Sequence, residues 1–230
     1  MDMAGPEQTT QPPHPYYLSV FSVAKEGQRE KLQKESLEWL KERVKKFGWA
    51  RVALSYSLTD SAWQFMEVYR IRKPETLRDA QVKLEQEKDY QELRRRCTSR
   101  QLELATAMPY DPGAGGPATP KADHKRDVFL HATLTLKEGR LSRFTELMGS
   151  VRALFQSKTW EWGLLFASRS LSSPHCITHL WKTGNPRDLY PLMLELGNSR
   201  EYEELDRCCE HQWQRLMRGL EGTKDSEVSS

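Results

Sequence analysis

The 230-residue chain carries 35 basic and 32 acidic side chains, a formal net charge of +3. That balance gives no electrostatic case for binding nucleic acid or an anionic membrane surface. At 37% hydrophobic and 10% aromatic residues the composition is that of an ordinary globular protein able to bury a core. No apolar run approaches the ~20 residues that a bilayer span needs.

Residues 1–15 are expected to form a disordered tail, with neither a secretory signal nor an arginine-rich organelle leader. The first strand is predicted over residues 16–23, rich in aromatic and β-branched side chains. A Lys25-Glu26-Gly27 turn follows, then a charged helix with Leu37, Leu40, Val44 and Phe47 on one stripe. Residues 50–58 and 63–71 read as a hairpin. A helix is expected to start near Pro74, where proline suits the first turn, and "RQLELATAMPY" alternates as a strand.

The order then recurs at an offset of 112 residues. Lys25-Glu26-Gly27 answers Lys137-Glu138-Gly139, and Pro74 answers Pro186. Tyr90, Leu93 and Cys97 answer Tyr202, Leu205 and Cys209. Self-similarity of this kind implies two copies of one unit. The predicted boundaries are 16–110 and 127–219, with a flexible Gly/Pro-rich linker over 111–126 and a polar tail over 220–230. In the second copy, strands are predicted over 128–136, 161–171 and 176–183. Its first helix carries Leu141, Phe144, Leu147, Met148, Val151, Leu154 and Phe155. The last segment, "HQWQRLMRGL", is ambiguous between helix and strand.

A β-α-β-β-α-β unit is ferredoxin-like: an antiparallel sheet with both helices on one face. The bare face of each sheet is expected to cover that of the other, enclosing a cavity. Period-two alternation sorts the strand residues. Leu130, Ala132, Leu134 and Leu136 are expected under the helices. Phe129, His131 and Thr133, with Tyr17, Ser19 and Phe21, are expected on the open faces. The same reasoning puts Ile177, His179 and Trp181, and their counterparts Phe65, Glu67 and Tyr69, on the open faces. Apolar walls with a few polar handles suit a small-molecule pocket. The ligand-binding candidates are therefore Tyr17, Phe21, Phe65, Tyr69, Phe129, Thr133, Ile177 and Trp181. His179 or His131 could act as general base with Glu67 as its partner; the alternative is a polar pair that orders the interface.

Cys97, Cys176, Cys208 and Cys209 show no framework spacing, which fits free thiols in a reducing, cytoplasmic compartment. "HCITH" and "CCEH" offer metal-ligand types, but an odd spacing sends Cys176 and His179 to opposite faces. Cys208 and Cys209 are expected on a helix covering the face that His179 does not occupy. No metal site, phosphate-binding glycine loop or nucleophile elbow is expected.

The stretch from Thr178 to Leu205 resembles the NIPSNAP branch of the dimeric α+β barrel superfamily. His179, Leu180, Trp181, Arg187 and Tyr202 stand in the matching places, whereas the first copy has Glu67-Val68-Tyr69. The resemblance implies ferredoxin-like units whose sheets close into a barrel, as tandem copies or dimers. The superfamily includes cofactor-free monooxygenases, haem-using enzymes and members without a known reaction. Its NIPSNAP branch is associated with mitochondria, vesicle traffic and protein interaction. Two readings follow. One is a binding protein that holds a hydrophobic or planar small molecule, or a protein partner, between the halves without a cofactor, as a pseudo-dimer able to dimerise further. The other is a cofactor-independent monooxygenase or cyclase/isomerase with a histidine base. Haem ligation by His131 or His179 is a third arrangement that no sequence feature favours. By resemblance alone, a mitochondrial location is the alternative to a cytoplasmic one.

Overall fold

The computed structural model describes residues 15–58, 64–71, 73–114, 128–156, 162–183 and 186–220, the side chains of 39–45, 64, 154–156 and 186 excepted. The side chains of Leu40, Val44, Leu154 and Phe155 of the predicted helical stripes thus lie outside what is described. The first half runs β1 (Tyr16–Ala24), α1 (Arg29–Phe47), β2 (Ala50–Ser57), β3 (Gln64–Ile71), α2 (Leu77–Gln86), α3 (Lys88–Arg95) and β4 (Cys97–Ala107). The second runs β5 (Val128–Leu136), α4 (Leu141–Gln156), β6 (Gly163–Ser170), β7 (Cys176–Thr183), α5 (Leu189–Gly197), α6 (Arg200–Cys208) and β8 (Cys209–Gly219). The ambiguous last segment is therefore a strand.

Local sequence explains the punctuation. Gly27 and Gly139 take φ of 70° and 72° in the turn after the first strand of each half, a region that L side chains avoid. The helix expected after each proline is two helices behind a short 3-10 turn. Glu87 and Ser199 break them with extended backbone. The Ser199 hydroxyl accepts from the backbone N–H of Tyr202 at 3.3 Å, which caps α6.

All eight strands close into one antiparallel barrel in the order β1-β3-β2-β8-β5-β7-β6-β4. The inner faces of the two sheets do face each other, as the ferredoxin-like pattern requires. Two seams join the halves, β2 to β8 and β4 to β6, each spanning three residue pairs. The gap between the sheets is packed rather than hollow around Tyr17, Ala53, Met66, Val68, Ala107, Phe129, Phe166, Leu180 and Met217, none more than 5% exposed. Side chains meeting from opposite walls fill a barrel of this strand number.

Outside the barrel each half has its own helix-covered core. In the second, Leu130, Leu134 and Leu136 pack with Phe144, Leu147, Met148 and Val151 of α4. Each core also takes a residue from the other half. Met108, just past β4, belongs to the second core, and Leu220, just past β8, belongs to the first. Leu220 therefore does not start a loose tail.

Candidate site beneath the helices of the second half

Strand register decides which residues can share a site, because directly opposed residues of an antiparallel pair point to one face. Ser19 opposes Val68, and Val20 opposes Glu67. Leu130 opposes Trp181, and Ala132 opposes His179. Tyr17, Phe21, Phe129, His131 and Thr133 thus lie on the lumen row, as alternation predicts. Phe65, Glu67, Tyr69, Ile177, His179 and Trp181 lie under the helices, which corrects their expected place on the open faces. Both rows of β7 are buried from Ile177 to Thr183, so hydropathy alone could not tell its two sides apart.

The separation of Glu67 from His179 follows. Glu67 is 1% exposed. It accepts from the Tyr69 hydroxyl and pairs with the Arg100 guanidinium at 3.2 Å, which also donates to Ser22 Oγ at 2.8 Å. His179 sits instead in the second core, where its ring stacks on Phe144 with centroids 6.1 Å apart. Burial alone pushes its imidazole down to about 3, so it is neutral at physiological pH. Glu67 plays no part in that shift.

The partner His179 does have is Tyr110, whose hydroxyl lies 2.8 Å from Nε2. Arg152 on α4 holds the Tyr110 carbonyl with a 2.7 Å hydrogen bond. The next residue, Asp111, is fully buried. Its carboxylate accepts from the Tyr17 hydroxyl, the Gly113 N–H and the Ala167 N–H, each at 2.7 Å. Burial raises its pKa despite these bonds and pushes the Tyr17 hydroxyl up as well. The sequence assigned residues 111–114 to a flexible linker. They form a clasp between β1 and β6 in which Asp111 is buried and the rest half-buried, and Pro112–Ala114 is a 3-10 turn. A Cβ on Gly113 would lie 2.6 Å from the Tyr17 hydroxyl. The available signal was an aromatic-acid pair opening a Gly/Pro run.

Beside His179, between the outer face of the sheet and the helices α4, α5 and α6, lies a cavity of about 50 Å³. Its walls are mostly aliphatic, including Leu130, Leu134, Met148, Val151, Leu192 and Leu196, with Trp181 at one side. His179, Tyr202, Gln212 and Gln214 supply its side-chain polar groups. An apolar wall with a few polar anchors is the ordinary make-up of a ligand site. His131, across the sheet, lies 2% exposed in the lumen between Phe21 and Trp213 at 5.7 and 5.8 Å. Burial, then Arg215 and His179, push it down to about 3.

Cys208 and Cys209 share the helix-covered core with Ile177 and Trp181, so the expectation that α6 covers the other face is corrected. Among the described residues no three His, Cys, Asp or Glu side chains gather to hold a metal ion. No described helix is long and apolar enough to cross a membrane.

No family model matches the chain, and no curated protein matches it in sequence. Its fold does match solved structures. A monooxygenase candidate from Lactobacillus acidophilus superposes with a TM-score of 0.63 at 11% identity, over 89% of this chain and 93% of that one. An anthrone oxidase-like protein gives 0.59 at 10% identity, over 90% and 92%. A heme-binding protein from Thermus thermophilus gives 0.53 at 12% identity, over 91% and 92%. The protein thus has the dimeric α+β barrel fold, with both units on one chain. A NIPSNAP family protein from Agrobacterium tumefaciens is among the similar structures, aligned over 46% of this chain at a TM-score of 0.36.

Proposed function

We propose that the protein is a NIPSNAP-like binding protein that holds a small apolar molecule in the cavity beside His179. One observation carries the reading: aliphatic walls from sheet and helices converge on a buried imidazole that stays neutral. Such a site rewards apolar surface and offers the ligand few hydrogen bonds. At about 50 Å³ it is smaller than the ~150 Å³ apolar cavity that admits benzene, so a single ring or short chain enters as the helix that covers the cavity yields. The cover is α5, which is apolar on both sides. Leu192 and Leu196 face inward, while Tyr190 and Leu194 are 72% and 53% exposed.

The fold's other chemistries draw less support from these residues. A porphyrin is far larger than this cavity, and the Nε2 of His179 is already engaged by Tyr110. The residues beside His179 do not fit haem, and His131 lies 2% exposed in a lumen filled by side chains. An imidazole with a pKa of about 3 is a poor general base at neutral pH, and Glu67 is held in the other half by Arg100. The oxygenase or isomerase reading therefore ranks second.

Toluene, titrated while methyl and imidazole NMR signals are followed, tests the proposal. Saturable shifts at the Met148 methyl and the His179 ring are expected, and Ala132→Leu, which fills the cavity from the strand, should abolish them. Shifts that persist unchanged in Ala132→Leu, or none in the parent protein, would sink it.

A further inference from the structure

A second cavity, of about 410 Å³, opens in the first half where the ends of α1 and β3 meet the start of α2. Its character differs from that of the cavity beside His179. Phe47 and Trp49 supply aromatic surface, with ring centroids 5.1 Å apart and planes inclined by 32°. Lys46, Lys73 and Lys83 bring three ammonium groups to its walls, against one carboxylate, Asp79. The charge on Lys46 is met by Glu87. Among the described residues Lys73 and Lys83 are ion-paired with nothing, so the site keeps an excess of one positive charge after Asp79 is counted.

The floor is closed by Trp49, 3% exposed and wedged between Phe47 and Tyr69. Its indole Nε1 lies beneath the surface, so contact with a ligand falls to Phe47 and to the lysine ammonium groups. An acid group is the partner that a lysine-rimmed cavity attracts. The second half does not reproduce this arrangement. At the same offset of 112, Asn185 stands for Lys73 and Glu195 for Lys83, and its cavity is apolar.

We infer that this cavity binds an amphipathic organic monoanion, an aromatic carboxylate or sulfonate. Its acid group is held by Lys73 and Lys83, and its flat apolar body lies against Phe47. The single excess charge sets the preference for a monoanion over a polyphosphate. The site stands apart from the one beside His179, in the other half, and does not depend on it.

The test uses the full chain with the fluorescent sulfonate 8-anilinonaphthalene-1-sulfonate and its uncharged relative N-phenyl-1-naphthylamine. The sulfonate should bind saturably with one site per chain. Lys73→Glu combined with Lys83→Glu should weaken it tenfold or more and leave the uncharged probe within twofold. Phe47→Ala, which removes the aromatic wall, should weaken it severalfold. The urea midpoint of each variant confirms that it remains folded. The inference is overturned if the lysine exchanges leave sulfonate affinity within twofold. It is equally overturned if the signal is lost in Ala132→Leu, which would place the probe beside His179.

Discussion

The hydroxyl of Tyr110, the last residue before the clasp, lies 2.8 Å from Nε2 of His179 on β7. A residue at the junction of the halves thereby fixes the hydrogen bonding of the His179 imidazole in the second core. Removing it should leave a buried ring nitrogen unpartnered, a loss of about 1–2 kcal/mol. Tyr110→Phe is therefore expected to lower the unfolding free energy measured in urea by that amount and to shift the His179 imidazole ¹⁵N signals. Unchanged signals would show that the bond is not formed in solution.

Asp111 makes a larger prediction. Asp111→Ala deprives the Tyr17 hydroxyl and the N–H groups of Gly113 and Ala167 of their acceptor at once, and about 3 kcal/mol of stability should go with them. Gly113→Ala forces a methyl to 2.6 Å from the Tyr17 hydroxyl and 2.9 Å from the Asp111 carboxylate. Crowding of that kind costs about 1–3 kcal/mol. Chemical denaturation measures both, and a Gly113→Ala protein as stable as the parent would mean that the clasp is loose.

Glu67 and Arg100 form a buried pair with side chains 1% and 4% exposed. Breaking such a pair from one side strands a charge, so Glu67→Gln should cost about 3–5 kcal/mol. Replacing both partners by methionine should recover most of that loss. A double variant no better than the single one would assign the cost to lost packing instead.

Acid should destabilise the protein through its histidines. Burial holds His179 at about 3, and burial with Arg215 and His179 does the same for His131. An imidazole in the unfolded chain titrates near 6.5. The unfolded state therefore binds protons that the native state refuses, and stability falls as pH drops from about 6.5 towards 3. The slope reaches at most about 1.4 kcal/mol per pH unit for each histidine. Asp111, with its raised pKa, works in the opposite sense across its own titration. Urea midpoints between pH 7 and 5 should fall, and His131→Gln with His179→Gln should flatten the decline. An equally steep decline in the double variant would assign the acid sensitivity to other groups.

Strand order and the lumen row of β1 and β5 were legible because alternation there contrasts Leu130 and Leu134 with His131 and Thr133. The row containing His179 was not. In β7 both neighbouring rows are buried, and only the pairing of Ala132 with His179 fixes the side. A one-residue difference in register moves every side chain of a strand to the other face, and no sequence signal near His179 specified that register. The clasp was illegible for another reason. Gly and Pro around residues 112–116 carry the composition of a linker, and the burial of Asp111 comes from Tyr17 and Ala167, both distant in sequence. The cavities depend on helix placement, which periodicity does not supply.

Met108 and Leu220 lie 112 residues apart, each inserted into the core that the other half builds. Either half expressed alone would therefore lack a piece of its own interior, while the partner would arrive carrying it. Melting should then occur as one event rather than two. Separately produced halves should recover a native barrel when mixed, in the manner of complementing fragments.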